Sequence, residues 1–152
     1  VHHSQFGGTA QLARVAEDGA RSVGGIEVVS RRANEAGVDD VLAARGYLFG
    51  TPENFGGIAG MLKDFLERVY YPCEHTMAGK PYTVIVCAGT DGQGAMLQTD
   101  RIIKGLAMRK VLPGIIHRSG ITAQAVTIPA AALAQCRELG ATLASGIAAG
   151  IF

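Results

Sequence analysis

The sequence lacks an excess of either charge. Fourteen basic residues stand against thirteen acidic ones and four histidines, a formal +1. That leaves no global electrostatic signature for nucleic acid or an anionic membrane, and neither partner is expected. Paired cysteines are lacking too. Cys73, Cys87 and Cys136 are an odd number without ligand-like spacing. They read as reduced thiols of a cytoplasmic protein, not as a disulfide frame or a zinc site. No apolar run reaches the length of a membrane span, and the most apolar stretch, the C-terminal third, is cut by Gln135, Arg137 and Glu138. Nothing at the start reads as a secretory signal. G-x-x-x-x-G-K-[ST] is missing, which argues against a Walker-type NTPase. G-x-S-x-G is missing as well, which argues against a hydrolase of the nucleophile-elbow kind. Disorder is excluded by a hydrophobic fraction of 48% against a charged fraction of 18%.

What is present fits one domain over residues 1–152. Folding at this size buries roughly two-thirds of the unfolded surface, enough for a core without staples. Periodicity gives an alternation of helices and strands. After the turn Ser4-Gln5-Phe6-Gly7-Gly8-Thr9, a helix is predicted over 10–22, with Leu12, Val15, Ala16, Gly19 and Val23 inward. Gly24-Gly25 stop it. Ile26 to Ser30 reads as a short strand, and 31–44 as a loop with one helical turn near Asp39-Asp40. Tyr47-Leu48-Phe49 is a short apolar strand, followed by a second turn from Thr51 to Gly57. Ile58, Met61, Leu62, Phe65, Leu66 and Val69 mark a helix over 58–70, which Pro72 is expected to end. Tyr82 to Ala88 is the best strand and empties into a third turn, Gly89-Thr90-Asp91-Gly92-Gln93-Gly94. A helix over 95–108, a weaker strand over 110–117 and a last helix over about 129–148 follow.

Such alternation implies a parallel sheet with helices on both faces. Five strands fit the order 2-1-3-4-5, with the fifth at an edge, as Pro113 suggests. The first strand would then be central. The sequence opens Val1-His2-His3 without an initiator Met and runs at once into the first turn. An apolar segment upstream is therefore expected to complete that strand.

The three turns leave the first, third and fourth strands at the carboxyl side, where such sheets bind ligands. The first opens a helix, whose N–H groups and positive end can hold a phosphate. Ser4 and Thr9 add hydroxyls, and Gly7 and Gly8 allow a close approach. Gly92-Gln93-Gly94 begins a G-x-G but has Leu97 where a third glycine would stand. It is a weak dinucleotide signal. Each turn alone would more often be punctuation than a site; three at one sheet edge point to a bound phosphate ligand. The other chemistry-bearing residues have plainer readings. His2 and His3 face opposite ways on a strand and cannot chelate one ion together. His75 reads as a solvated loop residue and His117 as a strand end. Cys87 reads as a buried strand residue, and Asp39-Asp40 as a helix start.

At this point the sequence resembles a known family. Ser4-Gln5-Phe6-Gly7-Gly8-Thr9 is similar to the S-x-x-G-x-T phosphate loop of flavodoxin-like FMN proteins. Gly50-Thr51-Pro52-Glu53-Asn54-Phe55-Gly56 is similar to their G-T-P-x-x-F-G flavin loop, and Lys63-Asp64-Phe65 and Tyr70-Tyr71-Pro72-Cys73 follow as in that family. The third loop, Ala88 to Gly94, matches in place and glycine content. The closest branch is that of the NAD(P)H:quinone oxidoreductases similar to the tryptophan-repressor-binding-protein group.

The resemblance implies a three-layer flavodoxin-like α/β fold and one FMN per subunit. The phosphate would lie on Ser4, Phe6, Gly7, Gly8 and Thr9. The isoalloxazine would lie between Thr51, Pro52, Asn54, Phe55 and Gly56 on one side and Ala88, Gly89, Asp91, Gly92 and Gly94 on the other. Glu53, Asn54 and Phe55 carry β-carbons that make a positive φ costly. The sequence is shorter than the quinone reductases and lacks much of the insertion that builds their tetramer. It has no tryptophan, so any aromatic cover would come from Phe or Tyr.

The function expected on this basis is hydride transfer from NADH or NADPH through the flavin to a quinone-like acceptor, in a homodimer or homotetramer. The cofactor would carry the chemistry, and no side chain is assigned as a catalytic acid or base. The alternative is an electron-carrying flavodoxin that serves protein partners, which the neutral charge weakens.

Overall fold

Eight consecutive buried residues, Pro81–Ala88, form β3, an interior strand of the sheet. Strands covered on both faces read as continuous apolar runs, which is why this one was the plainest in the sequence. The computed structural model describes residues 1–120 and 124–152. β1 (Tyr47–Asn54) lies parallel to β3, in register from Tyr47 against Tyr82 to Pro52 against Cys87. On the other side β3 pairs in parallel with β4 (Arg109–Lys110) and β5 (Ile115–Arg118). The predicted strand over 110–117 is thus two pieces. Pro113, which has no N–H to donate, lies in the gap between them.

Val1–His3 occupy the place expected of the first strand. His2 bridges Gly50 on one side and Arg32 on the other, both in parallel. Gly50 N donates to Val1 O (3.0 Å), His3 N to Gly50 O (2.9 Å), and His2 N to Arg31 O (3.0 Å). The spatial order is therefore the expected 2-1-3-4-5. The predicted strand at 26–30, however, carries no strand pairing, and pairing on that side is confined to Arg31–Ala33. A strand needs a neighbour's N–H and C=O groups, and no described residue pairs with 26–30.

Side chains alternate along β3 as the period of two requires. Val84 and Val86 join Phe49, Leu62, Phe65, Leu66, Val69 and Ile103 on one face. Ile85 and Cys87 join Leu12, Ala16, Ile128, Cys136 and Leu139 on the other. The first face is covered by α2 (Val38–Ala43), α3 (Gly60–Met77) and α4 (Gln93–Gly105). The second is covered by α1 (Gly8–Arg21) and α5 (Ala130–Ala148). These last two cross closely. A β-carbon on Gly19 would strike the Arg137 carbonyl, and one on Gly140 the Ala16 carbonyl.

Three further predicted boundaries move. Helix α3 runs through Pro72 and ends at Met77. The proline removes one backbone donor, but Cys73 and Met77 beyond it are wholly buried and hold the added turns against the core. Helix α4 ends at Gly105, short of 108, where Ala107 takes φ 54°. Strand β1 does not stop at Phe49. It continues to Asn54, then folds back as the two-residue β2 (Gly57–Ile58), with Glu53 opposite Ile58 and Asn54 opposite Gly57. A two-residue hairpin tip of this twist needs positive φ at both central residues. Phe55 adopts φ 52° and Gly56 φ 70°, so the cost expected of Phe55 is incurred and the hairpin closes regardless.

Candidate functional site

A cleft of about 450 Å³ opens at the carboxyl ends of the strands. Its floor is the first turn. Gly7 takes φ 83° and caps α1, so the chain swings into the helix with its first N–H groups toward the cleft. Gly8 lies on Cys87: a β-carbon there would come within 2.7 Å of Sγ. Ser4 Oγ and Thr9 Oγ1 are buried and have no hydrogen-bond partner among the described residues. A buried hydroxyl without a partner costs about 1–3 kcal/mol. Two beside one helix N-terminus are explained by a ligand that accepts from both. A phosphomonoester fits this donor set of hydroxyls and helix amides.

The second turn forms one wall. Thr51 is fully buried; its hydroxyl donates to Pro52 O (2.8 Å) and accepts from Ala59 N (3.1 Å), tying the two stems of the hairpin. Pro52, Asn54, Phe55 and Gly56 line the cleft, with Phe55 fully exposed at the tip. The third turn forms the opposite wall through Gly89 and Thr90.

Of the residues singled out in the sequence, Ser4, Phe6, Gly8, Thr9, Pro52, Asn54, Phe55, Gly56 and Gly89 line one cleft. The others shape it from behind. Gly7 starts α1, and Thr51 ties the hairpin. Ala88 is buried and its carbonyl accepts from Ser119 N (2.8 Å). Asp91 is exposed and accepts from Gln93 N (2.7 Å). Gly92 caps α4 at φ 75°, and Gly94 lies against the Gly56 carbonyl.

Sequence reasoning missed Gln5, Glu53, Cys87, Thr90, Ser119, Gly120 and Val126, which also line the cleft. Ser119-Gly120 directly follow a strand, and that turn was a signal within reach. Val126 had none. Its N donates to Phe6 O (3.2 Å), and its carbonyl accepts from Gln11 Nε2 (2.5 Å), so Val126 is pinned to the first turn and α1. Glu53 had none either. Its partners lie on the third turn and α4, about forty residues away.

Among the described residues no lysine, arginine or histidine lines the cleft, and Glu53 is the one carboxylate. Burial pushes the Cys87 thiol up, against the hydrogen bond with Ser119. Burial lowers His2 and His3, with Arg32 adding to both. No group of three metal-binding side chains exists among the described residues. No helix among them is long and apolar enough to cross a membrane. A wider hollow beside the end of α1, lined by Arg21, Gly25, Ile26, Glu27 and Val28, has no such convergence of buried polar groups.

A parallel sheet of this order, with a polar cleft at its switch point and a turn-and-helix anion cradle, defines a flavodoxin-like α/β protein. The family described as NADPH-dependent FMN reductase matches residues 27–123, more than half of the chain, and the chain belongs to that family. The chain is 33% identical over 115 residues to an NAD(P)H dehydrogenase (quinone) of Acidithiobacillus ferrooxidans, covering 62% of this chain and 58% of that protein. It is 32% identical over 94 residues to a flavodoxin of Aquifex aeolicus, covering 62% of this chain and 49% of that protein. The chain thus spans about half the length of the curated relatives it matches. Among solved structures, a flavodoxin from the domain Archaea superposes with a TM-score of 0.80 over 96% of this chain and 94% of that one, at 16% identity. At that identity the likeness is one of fold.

Proposed function

We propose that the chain binds one FMN and acts as an oxidoreductase, with NADH or NADPH as hydride donor and a quinone-like compound as acceptor. The observation that carries this reading is the pair of buried hydroxyls without partners, Ser4 Oγ and Thr9 Oγ1, at the N-terminus of α1. The family match and the curated relatives support the redox assignment. When bound, the flavin supplies the hydride and electron chemistry.

The chain's own residues do the holding. Ser4, Thr9 and the first amides of α1 take the phosphate through neutral donors and the helix dipole. The hairpin and the third turn both line the cleft and would hold the flat ring between them. Among the described residues no histidine or lysine stands in the cleft to move a proton, and no side chain is assigned as an acid or base. The protein is proposed to work in the cytoplasm as a homodimer or homotetramer.

The second reading is a flavodoxin-type electron carrier, favoured by the Aquifex aeolicus relative and opposed by the +1 charge. Steady-state assays separate the two. FMN-loaded protein that oxidises NADH or NADPH in proportion to added benzoquinone supports the reductase. A flavin-loaded protein that oxidises neither, yet exchanges electrons with redox proteins, supports the carrier.

A further inference from the structure

The hairpin and α4 come from distant parts of the chain, and one side chain joins them. Glu53 Oε2 accepts from Thr90 Oγ1 (3.2 Å) and Gly92 N (3.0 Å), and Oε1 accepts from Ala95 N (3.3 Å). Helix α4 has a glycine for its N-cap and no acidic residue in its first turn. Asp91 takes the Gln93 amide, and the Gly92 and Ala95 amides and the positive end of the helix are served by a carboxylate on another element. Two more contacts share this seam. Ile58 N donates to Gln98 Oε1 (3.1 Å), and Gly94 lies bare against the Gly56 carbonyl.

We infer that Glu53 is a positioning residue that sets the distance between the two walls of the flavin cleft. This rests on the FMN reading above. Successive residues of a strand face opposite ways, so Pro52 and Asn54 share one face, while the Glu53 carboxylate, itself at the cleft, reaches across to Thr90, Gly92 and Ala95. Thr90, bonded to Glu53, belongs to the facing wall. A two-stranded ribbon whose second strand has two residues is marginal by itself, so the hairpin depends on this seam for its place. The carboxylate bonds to Thr90, Gly92 and Ala95, on the third turn and α4, and not to Ser4 or Thr9. Its effect falls on the ring and not on the phosphate.

The test compares FMN with riboflavin, which has the ring without the phosphate. Flavin fluorescence gives both affinities for the parent, Glu53→Ala, Glu53→Gln and Thr9→Val, and the ³¹P spectrum of bound FMN reports on the phosphate. Glu53→Ala is expected to weaken FMN and riboflavin alike, by about tenfold or more, with the ³¹P shift unchanged. Glu53→Gln keeps an acceptor for the same donors at about half the strength and is expected to restore most of that loss. Thr9→Val should weaken FMN alone and move the ³¹P shift. Gly94→Ala parts the same seam sterically and should copy Glu53→Ala, which keeps the test open if that variant does not fold. Parent-like affinity for both flavins in Glu53→Ala or Gly94→Ala overturns the inference and leaves the FMN reading intact. So does a loss confined to FMN. A parent that binds neither flavin overturns the FMN reading and the inference with it.

Discussion

Thr9 contributes a buried hydroxyl with no partner of its own. On the proposed reading that hydroxyl donates to the phosphate dianion of FMN, a bond worth about 1.5–3 kcal/mol. Thr9→Val keeps the shape and removes the donor. The expected result is a Kd for FMN raised about ten- to a hundredfold, measured by fluorescence titration, with unchanged thermal stability of the apoprotein. Ser4 and Thr9 were legible because a hydroxyl at a fixed offset from a glycine turn is a local pattern. Thr51 belongs to an equally local pattern, yet its hydroxyl is engaged with Pro52 and Ala59. Spacing places a hydroxyl near a turn; it does not say which neighbour the hydroxyl will reach. His2 gives a second prediction at this scale. Burial holds its imidazole below the ordinary 6.5, with Arg32 adding. The folded state then favours the neutral ring, and the unfolded chain binds more protons in the window just below 6.5. Its contribution to stability is full above that value and is lost as pH falls through the window. Urea midpoints should therefore fall between about pH 7 and pH 5, and His2→Asn should flatten that fall.

At the scale of elements, the sheet was readable and its edges were not. β3 and the core face of α3 are runs whose burial is decided by their own composition. The extension of β1 into a hairpin depends on Gln98, Glu53 and Gly94 meeting across the fold, and no window of sequence contains them together. The passage of α3 through Pro72 has the same kind of cause. The buried Cys73 and Met77 outweigh a local stop signal. The α1–α5 crossing offers a direct test of packing. Replacing Gly140 by alanine should gain about 1 kcal/mol in helix propensity. The new methyl would run into the Ala16 backbone, which cannot rotate away. Overpacking of this kind costs about 1–3 kcal/mol, and parting the helices leaves voids as well. Gly140→Ala is expected to lower the urea midpoint; a raised midpoint would show that the two helices can slide apart freely.

For the whole molecule, the questions are assembly and electron flow. Tyr71 is mostly exposed and stacks edge-on with Tyr70 on the outer side of α3. Exposed aromatic clusters are frequent contact sites, and this one supports the proposed homo-oligomer. Light scattering should give at least twice 15.8 kDa, and Tyr71→Ser should shift the mass toward the monomer. A constant 15.8 kDa over a wide concentration range would contradict the oligomer. Electron flow is tested most directly by anaerobic titration of the FMN-loaded protein with NADH and, separately, NADPH, followed by absorbance. The expected result is full bleaching of the oxidised flavin band by one equivalent of at least one nucleotide, and its return on adding one equivalent of benzoquinone. A flavin band that neither nucleotide bleaches, in a protein that dithionite still reduces, would contradict the oxidoreductase reading and leave a flavin carrier in its place.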